Sequence, residues 1–221
     1  GLPRKVSTID FAIVILGFEH IKNVVIALSL IETFKGENNK NWNKREFTKH
    51  SLITAFLAKK IASDLGFYKS GEAFTAGLLH DLGVTVINKF FKTEYEHILY
   101  SVKEDGLSYL EAELLHIGFT HCDIAKYLCE KWNLPATLAN ALKYHHNPSE
   151  SEIDTFLPSI IHVSDYITKT LQLGDFFWDE NYQFDPKVIE ILKLGDEEYL
   201  ESFTNSYKQS IEKNLEIISV L

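Results

Sequence analysis

The sequence predicts an all-α protein, a compact bundle of about ten helices, and three observations carry that expectation. Apolar residues recur at three- and four-residue steps through most of the chain, and no period-two alternation runs long enough for a useful strand. Capping signals open several of these segments. Ser108-x-x-Glu111 and Ser149-x-x-Glu152 match the reciprocal capping box, and Asp185-Pro186 reads as a cap followed by proline at the first helical position. Glycines close them: Gly66, Gly83, Gly106, Gly174 and Gly195 fall where the apolar periodicity lapses, as left-handed C-terminal caps would.

In chain order, FAIVILG at 11–17 is too short to span a membrane and follows no secretory basic segment. KGENNKNWNK at 35–44 is the clearest loop. A helix over 44–65 comes next, with Phe47, His50, Thr54, Leu57 and Ile61 on one inward stripe. His80 stacks over Ala73, Ala76 and Gly77, whose small side chains are expected to leave space beside the imidazole. His121 shares a stripe with Ala125, Leu128 and Trp132. His145 shares one with Leu134, Leu138 and Leu142, and His146 sits one step round. In IIHVSDYI, Asp165 lies one turn beyond Ile161. A second loop, DFFWDENYQFDP at 175–186, is rich in aromatic residues.

The 221 residues, 45% hydrophobic and 13% aromatic, suffice for one domain over 1–221, with 171–221 as a C-terminal helical extension. A formal charge of -9 argues against a general nucleic-acid or anionic-membrane surface, so a soluble, cytoplasmic protein is expected. Cys122 and Cys129 stand seven positions apart on one helix and cannot bridge each other. They read as small buried hydrophobes, with no thiolate-activating neighbour in the sequence.

The chemistry is concentrated in GLLHDLG at 77–83, where a histidine and an aspartate sit between leucines. A buried charge is costly unless it is paired or bound to a metal. Five separate helices point such groups inward: His50, then His80 with Asp81, then His121, then His145 with His146, then Asp165. A single inward histidine is more often a core residue bonded to a carbonyl, and His20, His97, His116 and His162 are read as surface or core residues of that kind. Five histidines and two aspartates together would each need separate satisfaction, which fits poorly with how rarely such groups are buried unpaired. Imidazole and carboxylate suit iron, manganese or zinc, and with no inward thiolate arrangement a structural Cys-type zinc site is not expected. One ion would be served by His50, His80, Asp81 and Asp165; His121, His145 and His146 could complete a second position, with Asp81 shared. Glu113 stands eight residues before His121, either as an acceptor orienting that imidazole or as a solvated helix residue. No Lys or Arg is expected beside the ligands.

HDLG with an upstream His50 and a downstream Asp165 resembles the HD superfamily of metal-dependent phosphohydrolases, in which such residues hold the metals and a bound water attacks phosphorus. Three segments sharpen the match: STIDFAIVILGFEHIKNVVIALSL at 7–30, AGLLHDLG at 76–83, and ELLHIGFTHCDIAKYLCEKWNLPATLANALKYHH at 113–146. They resemble the HDOD family, the HD-related output domain of bacterial signalling proteins, over about 8–170. The resemblance implies a regulatory module acting through signalling-protein partners, with a helical lobe ahead of the segment at 7–30. It also separates the chain from the HD-GYP phosphodiesterases: Val84 stands where those carry a lysine, and HHNPSE replaces their glycine-tyrosine-proline continuation.

Two function classes are therefore carried forward. One is a signalling output domain in which a metal centre stiffens the bundle. The other is a metal-dependent phosphohydrolase acting on a nucleotide or cyclic dinucleotide, with Asp81 as the catalytic ligand bridging two ions. A blander third reading leaves the histidines satisfied by each other and by water.

Overall fold

A computed structural model gives the architecture for residues 40–173, 178, 181–195 and 197–218, together with Phe18, Ile21, Val25, Ser29, Glu32 and Asn38. Among the described residues there are ten α-helices and no strand, in line with the all-α expectation. They are α1 (Lys44–Asp64), α2 (Ser70–Leu79), α3 (Leu82–Phe90), α4 (Lys92–Glu104), α5 (Tyr109–Ile117), α6 (His121–Lys131), α7 (Ala136–Tyr144), α8 (Phe156–Thr170), α9 (Lys187–Ile191) and α10 (Glu197–Ile218). A 3-10 turn at Pro148–Glu150 lies between α7 and α8. None of the helices so described is long and apolar enough to cross a membrane.

Local chemistry explains most boundaries. Asn43 opens α1, its side chain accepting from the N–H groups of Arg45 and Glu46. The capping box at Ser108 and Glu111 forms as expected, and a second one, Thr120 with Asp123, opens α6. Asp185 Oδ1 accepts from Lys187 N at 3.1 Å at the start of α9. Gly66, Gly106 and Gly195 have positive φ, as does Gly118, which closes α5. Gly174 and most of the loop at 35–39 lie outside the described residues.

Three expectations fail for identifiable reasons. Gly83 is no helix stop: it sits in the first turn of α3, where a Cβ would overlap the carbonyl of His121. Ser149-x-x-Glu152 starts no α-helix, because Pro148 leads a 3-10 turn and Ser149 N donates instead to Asp185 Oδ2 at 3.0 Å. The small residues before His80 leave no gap. A Cβ on Gly77 would lie 2.8 Å from Ala55 Cα, so they let the backbones of α1 and α2 close on each other.

Two apolar clusters result. The larger packs α1, α2, α6, α7 and α8 with α9 and α10; the smaller is aromatic, built on Trp42, Phe47, Tyr95, Tyr109 and Trp178 with apolar residues of α3 and α4. The inward polar residues fall at the seam. On α1, His50 stands between Phe47 of the smaller cluster and Ile53 of the larger, and Asp81 stands between Leu79 and Val84 in the same way.

Candidate metal centre

The histidines and aspartates expected to converge do so. His50, from the middle of α1, brings Nε2 to 3.1 Å from His80 Nε2, 3.2 Å from Asp165 Oδ1 and 3.5 Å from Asp81 Oδ2. His80 and Asp81 occupy the tight junction between α2 and α3, which turns both side chains into the seam. On the other side of Asp81, Oδ1 lies 3.6 Å from both His121 Nε2 and His145 Nε2. His146 Nε2 is 3.2 Å from His121 Nε2. All seven residues are buried; His146 is the most accessible at 8%. Asp81 thus faces two groups, one oxygen to each.

Outer partners fix which nitrogen points inward on three of the rings. His80 Nδ1 donates to Gly77 O and His145 Nδ1 to Leu142 O, each at 2.8 Å. His121 Nδ1 donates to Glu113 at 2.9 Å, and the same carboxylate accepts from the His121 backbone N–H at 3.0 Å. Glu113 is fully buried, so of its two readings the orienting acceptor is the one the fold realises. With Nδ1 held by these outer partners, the rings turn Nε2 toward one another and toward the Asp81 oxygens, the nitrogen that would be free for an ion.

The fit to a metal rests on that convergence. Burial lowers the His80 pKa, but the Asp81 and Asp165 carboxylates raise it to about 10, and His121 and His145 are raised as well, so the cluster gathers positive charge at its middle. Buried Asp165 Oδ1 makes no hydrogen bond among the described residues. Burial raises the Asp165 carboxyl, but the Lys169 ammonium 2.7 Å from Oδ2 and the His50 and His80 rings together outweigh it and hold the group well below the usual carboxylate range. A cation is what such a set can accept, and the donors form two groups: His50, His80 and Asp165, and His121, Cys122, His145 and His146.

Several participants were missed in the sequence. Cys122, read as an inert hydrophobe, has Sγ 3.4 Å from His121 Nε2 and 3.7 Å from His145 Nδ1. Burial pushes its thiol up, yet those two rings bring it down to about 6, so the expectation of no inward thiolate is corrected. Cys129 is the inert one, raised by burial to about 12. Lys169 corrects the expectation that no cation accompanies the ligands, and its i,i+4 spacing from Asp165 was a readable signal. Trp178, from the aromatic loop, donates to Asp81 Oδ2, and no periodicity marks it.

The remaining histidines divide as read. His162 is a core residue: Nδ1 donates to His145 O at 2.8 Å, Nε2 accepts from Asp185 N at 2.9 Å, and burial lowers its pKa to about 4. His97 is exposed and His116 half-buried against Ser101; His20 lies outside the described residues. A cavity of about 400 Å³ reaches the second donor group at His146 and Cys122, with Glu111, Asp123, Lys143 and Glu150 among its lining.

The HDOD domain family model matches residues 1–148. A curated uncharacterized protein of Treponema pallidum (strain Nichols) is 21% identical over 96% of this chain, which spans 40% of that relative's length. An HDOD domain protein of unknown function from Geobacter sulfurreducens superposes with a TM-score of 0.75 at 24% identity, covering 99% of this chain and 77% of its own. A provisionally named phosphohydrolase of Shewanella amazonensis SB2B gives 0.71 at 20% identity, over 94% and 76% of the two chains. A provisionally named signal transduction protein of Marinobacter aquaeolei VT8 gives 0.70 at 21%, over 92% and 46%.

Proposed function

The chain belongs to the HDOD family, and from that premise we propose that it is a bacterial signalling output domain, whose buried metal centre sets the helix arrangement presented to a protein partner. One observation carries this reading: the side of the centre formed by His50, His80, Asp81 and Asp165 is closed. Every ligand but His146 is at most 3% exposed, and Trp178 lies over Asp81 with its indole against the ring of His50. The residues that would hold the cation are His50, His80, Asp81 and Asp165 on one side, and Asp81, His121, His145 and His146 on the other. A cation there supplies a tie between helices far apart in the chain, and its binding free energy becomes folding free energy. Iron, manganese and zinc are the candidates that the imidazole and carboxylate donors suit.

A second reading, hydrolysis of a nucleotide or cyclic dinucleotide, is favoured by the cavity reaching His146. Its charge argues the other way. Lys143 is paired with Asp123 at 2.6 Å, while Glu111 and Glu150 add negative charge, and a phosphate needs donors beyond the metal.

The test uses the purified chain. Elemental analysis is expected to find transition metal in stoichiometric amount, and a panel of nucleotides and cyclic dinucleotides supplied with that metal is expected to stay intact. Product release that disappears in Asp81→Ala would replace the regulatory reading with the enzymatic one. Unchelated protein without metal would remove both. The partner is sought by pull-down from the native host, where His80→Ala is expected to weaken recovery of a defined protein.

A further inference from the structure

The two donor groups differ in kind. His50, His80 and Asp165 offer nitrogen and oxygen, whereas the group at the start of α6 and the end of α7 includes sulfur. Metal–nitrogen bonds of about 2.0–2.1 Å and a metal–thiolate bond of about 2.3 Å around one tetrahedral ion place neighbouring donors about 3.3–3.6 Å apart. In the second group the distances from His121 lie close to that range before any ion is added, and its four donor atoms all lie within 4.8 Å of one another. His121 Nε2 is 3.2 Å from His146 Nε2, 3.5 Å from His145 Nε2 and 3.4 Å from Cys122 Sγ.

Position within α6 adds a reason for sulfur to act as thiolate. His121 and Cys122 open the helix, behind the Thr120–Asp123 capping box, at the end of the helix dipole that favours negative charge. Cys122 also borders the cavity of about 400 Å³ that meets His146, so the sulfur lies on the side from which an ion can enter. Cys129, two turns along α6, has none of these neighbours and provides an internal control.

We infer that Cys122 Sγ is a ligand of the second position in place of the Asp81 oxygen, which makes it a mixed thiolate–imidazole site for a thiophilic divalent cation of the zinc class, unlike the nitrogen–oxygen first position. Thiolate donors favour zinc over magnesium and manganese, so the two positions discriminate between metals. The inference rests on the reading that the centre holds metal, and cobalt separates the two.

The intact chain is stripped with chelator, loaded with cobalt(II), and its metal content and absorption spectrum are measured together. Two cobalt ions per chain with a thiolate-to-cobalt charge-transfer band in the near ultraviolet are expected. Cys122→Ser should lose that band while keeping the visible ligand-field bands, and Cys129→Ser should keep both. Loaded wild-type chain without the band overturns the cysteine ligand and leaves the rest of the centre standing. One cobalt per chain and no band also overturns it, since the second position then holds no ion. Failure to bind any cobalt overturns the metal reading itself. The wild-type spectrum is informative even if Cys122→Ser folds poorly, and far-ultraviolet circular dichroism identifies that case.

Discussion

Trp178 donates its indole N–H to Asp81 Oδ2 at 2.9 Å, joining residues 97 positions apart. The ring also packs 5.4 Å from Phe47 and 6.2 Å from Trp42, so one side chain roofs Asp81, donates to its carboxylate and completes the aromatic cluster. Trp178→Phe keeps most of the packing and removes the donor. Loss of a hydrogen bond to a buried charged group costs about 1–3 kcal/mol, which urea denaturation should register together with lower metal retention. Wild-type values of both would show that the bond contributes nothing.

Glu113 acts on the centre through His121. Glu113→Gln retains an acceptor for Nδ1 without the charge, and Glu113→Ala removes the acceptor altogether. Such changes lower metal affinity by roughly 10- to 100-fold, the alanine variant more, as read by titration against a chelator of known affinity. Equal affinity in all three proteins would mean that the imidazole needs no orientation.

Chelation should destabilise the fold as a whole, because the ligands come from α1, the α2–α3 junction, α6, α7 and α8. A ligand at one hundred times its Kd stabilises the folded state by about 2.7 kcal/mol. A melting temperature that falls on chelation and recovers with zinc or manganese is expected, and His80→Ala should blunt the recovery. Identical melting with and without metal would contradict the tie between helices.

Gly83 tests the close approach of α3 to α6. Gly83→Ala forces a methyl into the His121 carbonyl, and overpacking against backbone is expected to cost about 3 kcal/mol or more. Gly66→Ala is the comparison, since open space surrounds Gly66 and only its positive φ opposes a side chain, at about 1–2 kcal/mol. Equal losses in thermal denaturation would refute the packing argument.

Asp185 supplies a pH dependence. Burial raises its carboxyl, but the Ser149 N–H at Oδ2 and the Lys187 N–H at Oδ1 lower it further, so the folded pKa lies below the ordinary 3.8. The stabilisation is therefore present above the unfolded value and lost as pH falls through the depressed one. Asp185→Asn should be less stable than wild type at neutral pH, with the difference vanishing in acid. A difference that grows in acid would have the wrong sign.

Periodicity and capping depend on neighbours within one or two turns, so they were legible in the chain. The α1 stripe through His50, the capping box at Ser108 and the inward direction of seven ligand-type residues could all be read without coordinates, whereas the helix expected to begin at Pro186 begins one residue later, with Pro186 itself at the cap position. What converges with what could not, because helix packing brings together groups whose separation in sequence carries no local trace. Gly83 resembled a helix stop, and its reason is the His121 carbonyl 38 positions on. Cys122 resembled a small hydrophobe until α7 set His145 beside it, and Trp178 was one aromatic residue in a loop until the fold laid it over Asp81. The donor types were written in the sequence; their distances, their outward partners and the closure of the centre arise from close-packed helices meeting at one seam.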